Sequence, residues 1–243
     1  MNKNWIYNPK LKGSGLIECI PQKGKCPHNC QDCFFQSGRS YLEPLDKNLP
    51  HIPSKEMAEG KIVRFNDGND SNHQRTLVEK TAKQYDDYFF NTSIPYKLEE
   101  FSAPVVLTIN PGTMTDKDYY ELEEIPENLM FVRIRVNPAN LGKVVVPAIS
   151  YYSSREIPVI LTFMAYYTVL IEEKYQDCYT WKKRTTNSYW ALKDERIEKI
   201  MELFKFNPYV YQCGYKNTYS CKFCGHCIRE YYNCKERLNN ESN

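Results

Sequence analysis

Three cysteines stand at gaps of three and two residues in the stretch GKCPHNCQDCFF: Cys26, Cys30 and Cys33. Thiolates are soft ligands for iron and zinc, and three on one short loop can hold a metal group while leaving a position open. A redox pair would need two, and a closed structural site four. Chelation of zinc with His28 between the first two cysteines is the competing chemistry. A ferredoxin would show a fourth cysteine soon afterwards, whereas the next in this chain is Cys178. A second group, Cys213, Cys221, Cys224, Cys227 and Cys234, crowds the C-terminal tail as a C-x2-C-x2-C core with two outliers. Four of these thiolates, with His226 nearby, satisfy either a second iron–sulfur cluster or a tetrahedral zinc. Eight of the ten cysteines fall in these two groups, so a scatter of buried thiols does not account for them. Cys19 and Cys178 read as buried or incidental thiols.

Positioning such groups requires a scaffold, and the middle of the chain supplies one. Strands are predicted at 16–20, 61–66, 88–92, 104–110, 129–137 and 158–166, most of them short, apolar, and rich in β-branched or aromatic residues. That composition suits strands covered on both faces. Helices are predicted at 71–85, from an N-cap near Thr115, at 140–152 with Pro147 kinking it or delaying its start, and at 194–204. The alternation implies an α/β fold with a parallel sheet and right-handed crossovers, open or curled into a partial barrel. The first cysteine loop then follows strand one, at the C-terminal ends of the strands, where such folds build their sites. A core spanning 1–206 and a cysteine-rich extension over 207–243 are the expected parts.

With the loop so placed, the C-x3-C-x2-C motif of Cys26, Cys30 and Cys33 resembles the hallmark of the radical SAM superfamily. The resemblance covers roughly residues 15–170 as a strand–helix pattern, and its sharp signal is this loop. It implies a partial (β/α)6 TIM-like barrel with a small metal-binding extension. It also implies a [4Fe–4S] cluster on the three thiolates and S-adenosylmethionine (SAM) on the fourth iron. A reduced cluster then cleaves the sulfonium to methionine and a 5′-deoxyadenosyl radical, which takes hydrogen from a substrate. A reductant such as flavodoxin or ferredoxin is the implied partner. Where the family carries Gly-Gly-Glu after strand two, this chain has RFNDGND, whose Asn66, Asp67, Gly68, Asn69 and Asp70 offer acceptors and a tight turn. The bland alternative is an Asx-rich turn with Asp70 or Ser71 capping a helix. Later strand ends offer Thr108 and Asn110 for the ribose, Arg133, Arg135 and Asn137 for the carboxylate region, and Thr162 and Met164 near the adenine. A buried arginine needs an anionic partner, which the SAM carboxylate or an acidic neighbour would supply.

Composition narrows the rest. The 243 residues are 42% hydrophobic and 26% charged, which describes a globular chain. A formal charge of +2 gives no global electrostatic argument for nucleic acid. The N-terminus does not resemble a signal peptide, and the longest apolar run is too short to span a bilayer. Cysteine clustering without secretion signals suggests a reducing cytoplasm and no membrane partner. The expected function is therefore a radical SAM enzyme acting on an unidentified peptide, nucleic acid or small molecule. The alternative is a non-catalytic zinc-binding or interaction protein.

Overall fold

The computed structural model describes residues 7–28, 30, 49–110, 120–166, 171–183, 188–214 and 220–241. Seven strands form one sheet, and every neighbouring pair in it is parallel. In chain order they are β1 (Leu16–Cys19), β2 (Ile62–Phe65), β3 (Tyr88–Thr92), β4 (Val105–Ile109), β5 (Leu129–Val136), β6 (Val159–Phe163) and β10 (Val210–Gln212). Between β6 and β10 the chain builds a separate antiparallel sheet from β7 (Ala165–Tyr166), β8 (Tyr179–Lys182) and β9 (Tyr189–Leu192), ordered β7-β9-β8. The strand predicted at 158–166 is thus two strands in two sheets, divided at the buried Met164.

The predicted strands form because both faces of the sheet are covered, which favours continuous apolar runs over alternation. The described α-helices up to residue 202 are, in chain order, the single turn α1 (Lys55–Ala58), α2 (Arg75–Ala82), α3 (Val146–Ser153), the single turn α4 (Glu173–Gln176) and α5 (Asp194–Glu202), and α2, α3 and α5 lie on one face. Their Val78, Ala82, Ala148, Ile149, Ile197 and Ile200 pack with Ile17, Val63, Phe90, Leu107, Val132 and Leu161. Asp194 and Glu195 favour the start of α5 by sitting at its positive end. Pro147 falls in the first turn of α3, where its missing N–H costs no helical bond, and a π-helical turn over Leu141–Val145 precedes it. α2 starts later than its sequence pattern suggests. Gln74 precedes it in the left-handed region at φ 54°, and neither Asp70 nor Ser71 caps it. The N-cap expected near Thr115 lies outside the described residues.

The other face has a two-layer pattern set by the period-two alternation of strands. Leu16, Ile62, Phe89, Val106, Phe131 and Ile160 form an apolar lower layer covered by Tyr231 and Cys234 of α7 (His226–Glu241). Two residues further along each strand stand Glu18, Arg64, Asn91, Thr108, Arg133 and Thr162. The polar half of this face therefore lies toward the C-terminal ends of the strands. Residues beyond 207 belong to this architecture, since β10 is an edge strand of the large sheet and α7 packs on its core. Lys235 and the Tyr231 hydroxyl both donate to Asp87, at 2.9 and 2.8 Å, and tie α7 to the start of β3. Among the described residues no helix is long and apolar enough to cross a membrane.

Candidate cofactor and metal site

Two adjacent cavities open on the polar half of that face. The first, at the C-terminal ends of β2 to β5, brings Cys26 and Cys30 of the loop together with nine of the residues singled out for a cofactor. These are Asn66, Asp67, Gly68, Asn69, Asp70, Thr108, Asn110, Arg133 and Arg135. Cys33 lies outside the described residues. Cys30 is buried, and the Asn110 amide donates to its sulfur at 3.6 Å and to Ser93 Oγ at 2.9 Å. His28 faces the Ser93 carbonyl at 3.4 Å, which fixes the loop against the end of β3. The far side of the cysteine loop is clasped to β1. His51 and Ile20 exchange backbone bonds of 2.8 and 2.7 Å, and buried Glu18 meets His51 Nε2 at 3.3 Å and accepts from Asn8 at 2.8 Å.

The acidic turn divides into two roles. Asp70 is buried and accepts from Asn72 N–H, Thr92 Oγ1 and Ser93 N–H at 2.8, 2.7 and 2.6 Å. Burial pushes its carboxyl above the usual carboxylate range, and the bonds from Ser93, Thr92 and Asn72 oppose that rise. Its oxygens are committed to the turn, as in the Asx alternative. Asn66 differs. It is buried at φ 57°, a left-handed conformation that asparagine tolerates, and its amide donates to Ser71 Oγ at 3.0 Å. Its Oδ1 is buried with no hydrogen-bond partner among the described residues. An orphaned acceptor on a cavity wall is what an ammonium donor would satisfy. Asp67 is paired with Arg64.

Arg133 is held by Asn91, whose Oδ1 accepts at 2.9 Å while its own amide donates to the Phe65 carbonyl at 2.7 Å. Asn91 and Ser93 were not singled out from the sequence. The signal was present, because polar residues end an otherwise aromatic strand in YFFNTS. Three of the residues expected here lie elsewhere. Asn137 exchanges bonds with Asn140 in a turn after β5 and donates to the Tyr166 hydroxyl at 2.7 Å. Met164 is core, and Thr162 stands beside Cys213 on the tail side.

The second cavity, of about 100 Å³, shares Asp67, Arg133 and Arg135 with the first and is walled by Cys213, Cys221, Cys224 and Cys227. The sequence places these thiols by short rigid pieces. Cys213 continues β10 through a bond to the Leu161 carbonyl at 2.8 Å. Cys221 and Cys224 begin and end the single turn α6 (Cys221–Cys224), Gly225 turns the chain at φ 69°, and Cys227 lies in the first turn of α7. A side chain at Gly225 would have to accept that positive φ. Gly214 N–H donates to Cys224 Sγ at 3.3 Å, and Arg133 reaches Cys227 Sγ at 4.0 Å. Hydrogen bonding from Cys224 lowers the Cys213 thiol from its ordinary value, with Arg133, Thr162 and Arg64 assisting. Burial raises Cys221 and Cys227, against the pull of Arg64 and Arg133. Among the described residues no group of three or more His, Cys, Asp or Glu is arranged to hold a metal ion. The four thiols share a wall without converging on a point.

Cys234 does not join them. It lies seven residues, or roughly 10 Å along a helix, beyond Cys227. It is fully buried in the core beneath, where Arg237 donates to its sulfur at 3.4 Å. Burial pushes its thiol up to about 11. Cys19 is likewise fully buried on β1, and burial raises its thiol strongly. Both have the character of structural thiols.

No protein-family model, curated protein or solved structure matches the chain.

Proposed function

We propose that the protein is a radical SAM enzyme, with a [4Fe–4S] cluster on Cys26, Cys30 and Cys33 and a second thiolate-bound metal centre on Cys213, Cys221, Cys224 and Cys227. The observation that carries this reading is the meeting of the cysteine loop with a cavity that holds an orphaned buried acceptor, Asn66 Oδ1, and a buried guanidinium, Arg133. When bound, the cluster and SAM supply reductive cleavage of a sulfonium and the start of radical chemistry. The chain's own residues bind and orient. Asn66 accepts from the SAM ammonium, a charge-assisted bond worth roughly 1.5–3 kcal/mol. Arg133, fixed by Asn91, offers its positive charge to the carboxylate. Asn110 steadies Cys30, and Asp70 keeps Thr92 and Ser93 in place behind the cavity.

A partial (β/α)6 barrel extended by β10 is the fold that goes with this reading, and the strand register supports it. Arg64 stands opposite Phe89, Asn91 opposite Val106 and Arg133 opposite Ile160, while Glu18 pairs with Arg64 and Thr108 with Arg133, so the polar layer steps down to the apolar one at three of these five junctions. That stagger is the shear a curling sheet requires. The tail's thiols suit a metal group because backbone N–H and guanidinium donors already face sulfur there.

Iron, sulfide and zinc analysis of anaerobically purified protein tests the proposal. About four irons with matching sulfide on the loop cysteines is the expected result. Zinc without sulfide at both groups would return the chain to a zinc-binding interaction protein.

A further inference from the structure

The two described loop cysteines differ in their surroundings. Cys26 is partly exposed, whereas Cys30 is buried, and one donor to its sulfur is the Asn110 amide at 3.6 Å. The same Nδ2 gives its second hydrogen to Ser93 Oγ at 2.9 Å, which fixes the plane of the amide. Ser93 is fixed in turn, because its N–H donates to the buried Asp70 carboxyl at 2.6 Å. Thr92 Oγ1 donates to the same carboxyl at 2.7 Å, so the end of β3 hangs from one buried acid. Through Ser93, Asp70 thus orients an N–H aimed at a loop sulfur. A metal-bound thiolate accepts hydrogen bonds and donates none, so only the NH2 end of Asn110 can face it. Hydrogen bonds to cluster sulfurs are one of the levers that set an iron–sulfur potential. Reduction adds a negative charge to the cluster and its thiolates, so a donor on sulfur bonds more strongly in the reduced state and favours it.

We infer that Asn110 is a positioning residue that raises the reduction potential of the loop cluster through its N–H···S bond to Cys30. The inference rests on the cofactor reading above. It gives Asn110 the sulfur, where its place just past β4 suggested the ribose. The step it acts on is the passage of one electron from the reductant to the cluster, with no bond made or broken in the protein. Asn110 therefore sets how strong a reductant the protein needs.

The test is a dithionite titration of the anaerobically reconstituted full chain, followed by EPR spectroscopy. The loop signal is the one that Cys30→Ala lacks. Asn110→Leu, close in size but without a donor, and Asn110→Ala should both move its midpoint to more negative potential. The expected shift is at least a tenfold change in the reduction equilibrium, about 59 mV for one electron. Ser93→Ala should move it the same way by less, and Ser93→Thr, which keeps a hydroxyl, should restore it. Iron content and melting are measured on each variant. If Asn110→Leu does not assemble its cluster, Asn110→Ala and the Ser93 pair decide. With the loop cluster present, two results would overturn the inference alone. A midpoint unmoved or raised in every variant would leave Asn110 a structural clamp. A shift in Asn110→Ala that Asn110→Leu lacks would assign the effect to water entering the vacated space. A wild type with no iron on the loop would instead sink the cofactor reading, and the inference with it.

Discussion

Cys26 and Cys30 of the loop and four of the five tail cysteines face two cavities that share Asp67, Arg133 and Arg135, but they are held by different means. Cys26 and Cys30 sit on irregular chain after β1, and residues just past β3 and β4 steady this loop: the Ser93 carbonyl meets His28, and the Asn110 amide donates to Cys30. Cys213, Cys221, Cys224 and Cys227 are fixed by backbone, from an edge strand, one helical turn and the start of a 16-residue helix. A loop can present three ligands and leave a fourth position to a cofactor. Thiols delivered by packed elements are held where the backbone puts them, and here that is along one wall rather than around one point. The first group hangs on irregular chain, and the second is carried by packed backbone.

The largest effect should come from separating the two metal groups. Cys30→Ala should remove the loop iron while leaving the tail metal, and Cys224→Ala should remove the tail metal while leaving the loop iron, both read by metal analysis. Loss of both metals in either variant would mean a single shared centre. Cys234→Ala sharpens the contrast. It should keep the tail metal and lower stability by about 1–3 kcal/mol through lost core packing, measured by denaturant unfolding.

A second contrast lies within the acidic turn. Asn66→Ala should weaken SAM binding by about tenfold or more, in line with the loss of a charge-assisted bond. Asp70→Ala should instead act on stability. It strands three donors in a buried site, at roughly 1–3 kcal/mol for each one left unsatisfied. Calorimetric binding and thermal melts of the two variants should show opposite profiles.

The smallest effect concerns the helix beneath the tail thiols. Bonds from Lys235, and then Tyr231, hold the Asp87 carboxyl below the usual carboxylate range. A depressed pKa contributes stability that is fully present above about pH 4 and lost as pH falls through the folded value. The pair is partly exposed, so the contribution is at most about 1 kcal/mol. Asp87→Asn should therefore melt slightly earlier than wild type at pH 7, and the difference should vanish in strong acid.

How much of this was legible follows from what each segment has to do. β3 has the bounds predicted for it, because a strand buried on both faces is written as an unbroken apolar run. β10 is three residues, VYQ, too short to register as a period. Ile228, Tyr231, Cys234 and Leu238 lie at helical spacing and pack α7 on the core, but the same stretch carries a dense cysteine motif that masks the period. The 165–192 segment makes its sheet from two- and four-residue strands that carry no alternation. That Cys26, Cys30 and nine of the twelve residues named from the sequence would meet in one cavity was legible from residue type and strand ends. That Asp70's oxygens are used while Asn66 Oδ1 is left without a partner among the described residues was not, since it depends on how the turn folds.

In the proposed function, the loop and its cavity hold a cluster that cleaves SAM. The most direct test is 5′-deoxyadenosine production by anaerobically reconstituted protein given SAM and dithionite, measured by chromatography beside Cys30→Ala. The wild type should yield 5′-deoxyadenosine and methionine in equal amounts, and the variant none above background. Product from Cys30→Ala at the wild-type level, or none from a wild type loaded with iron and sulfide, would contradict it.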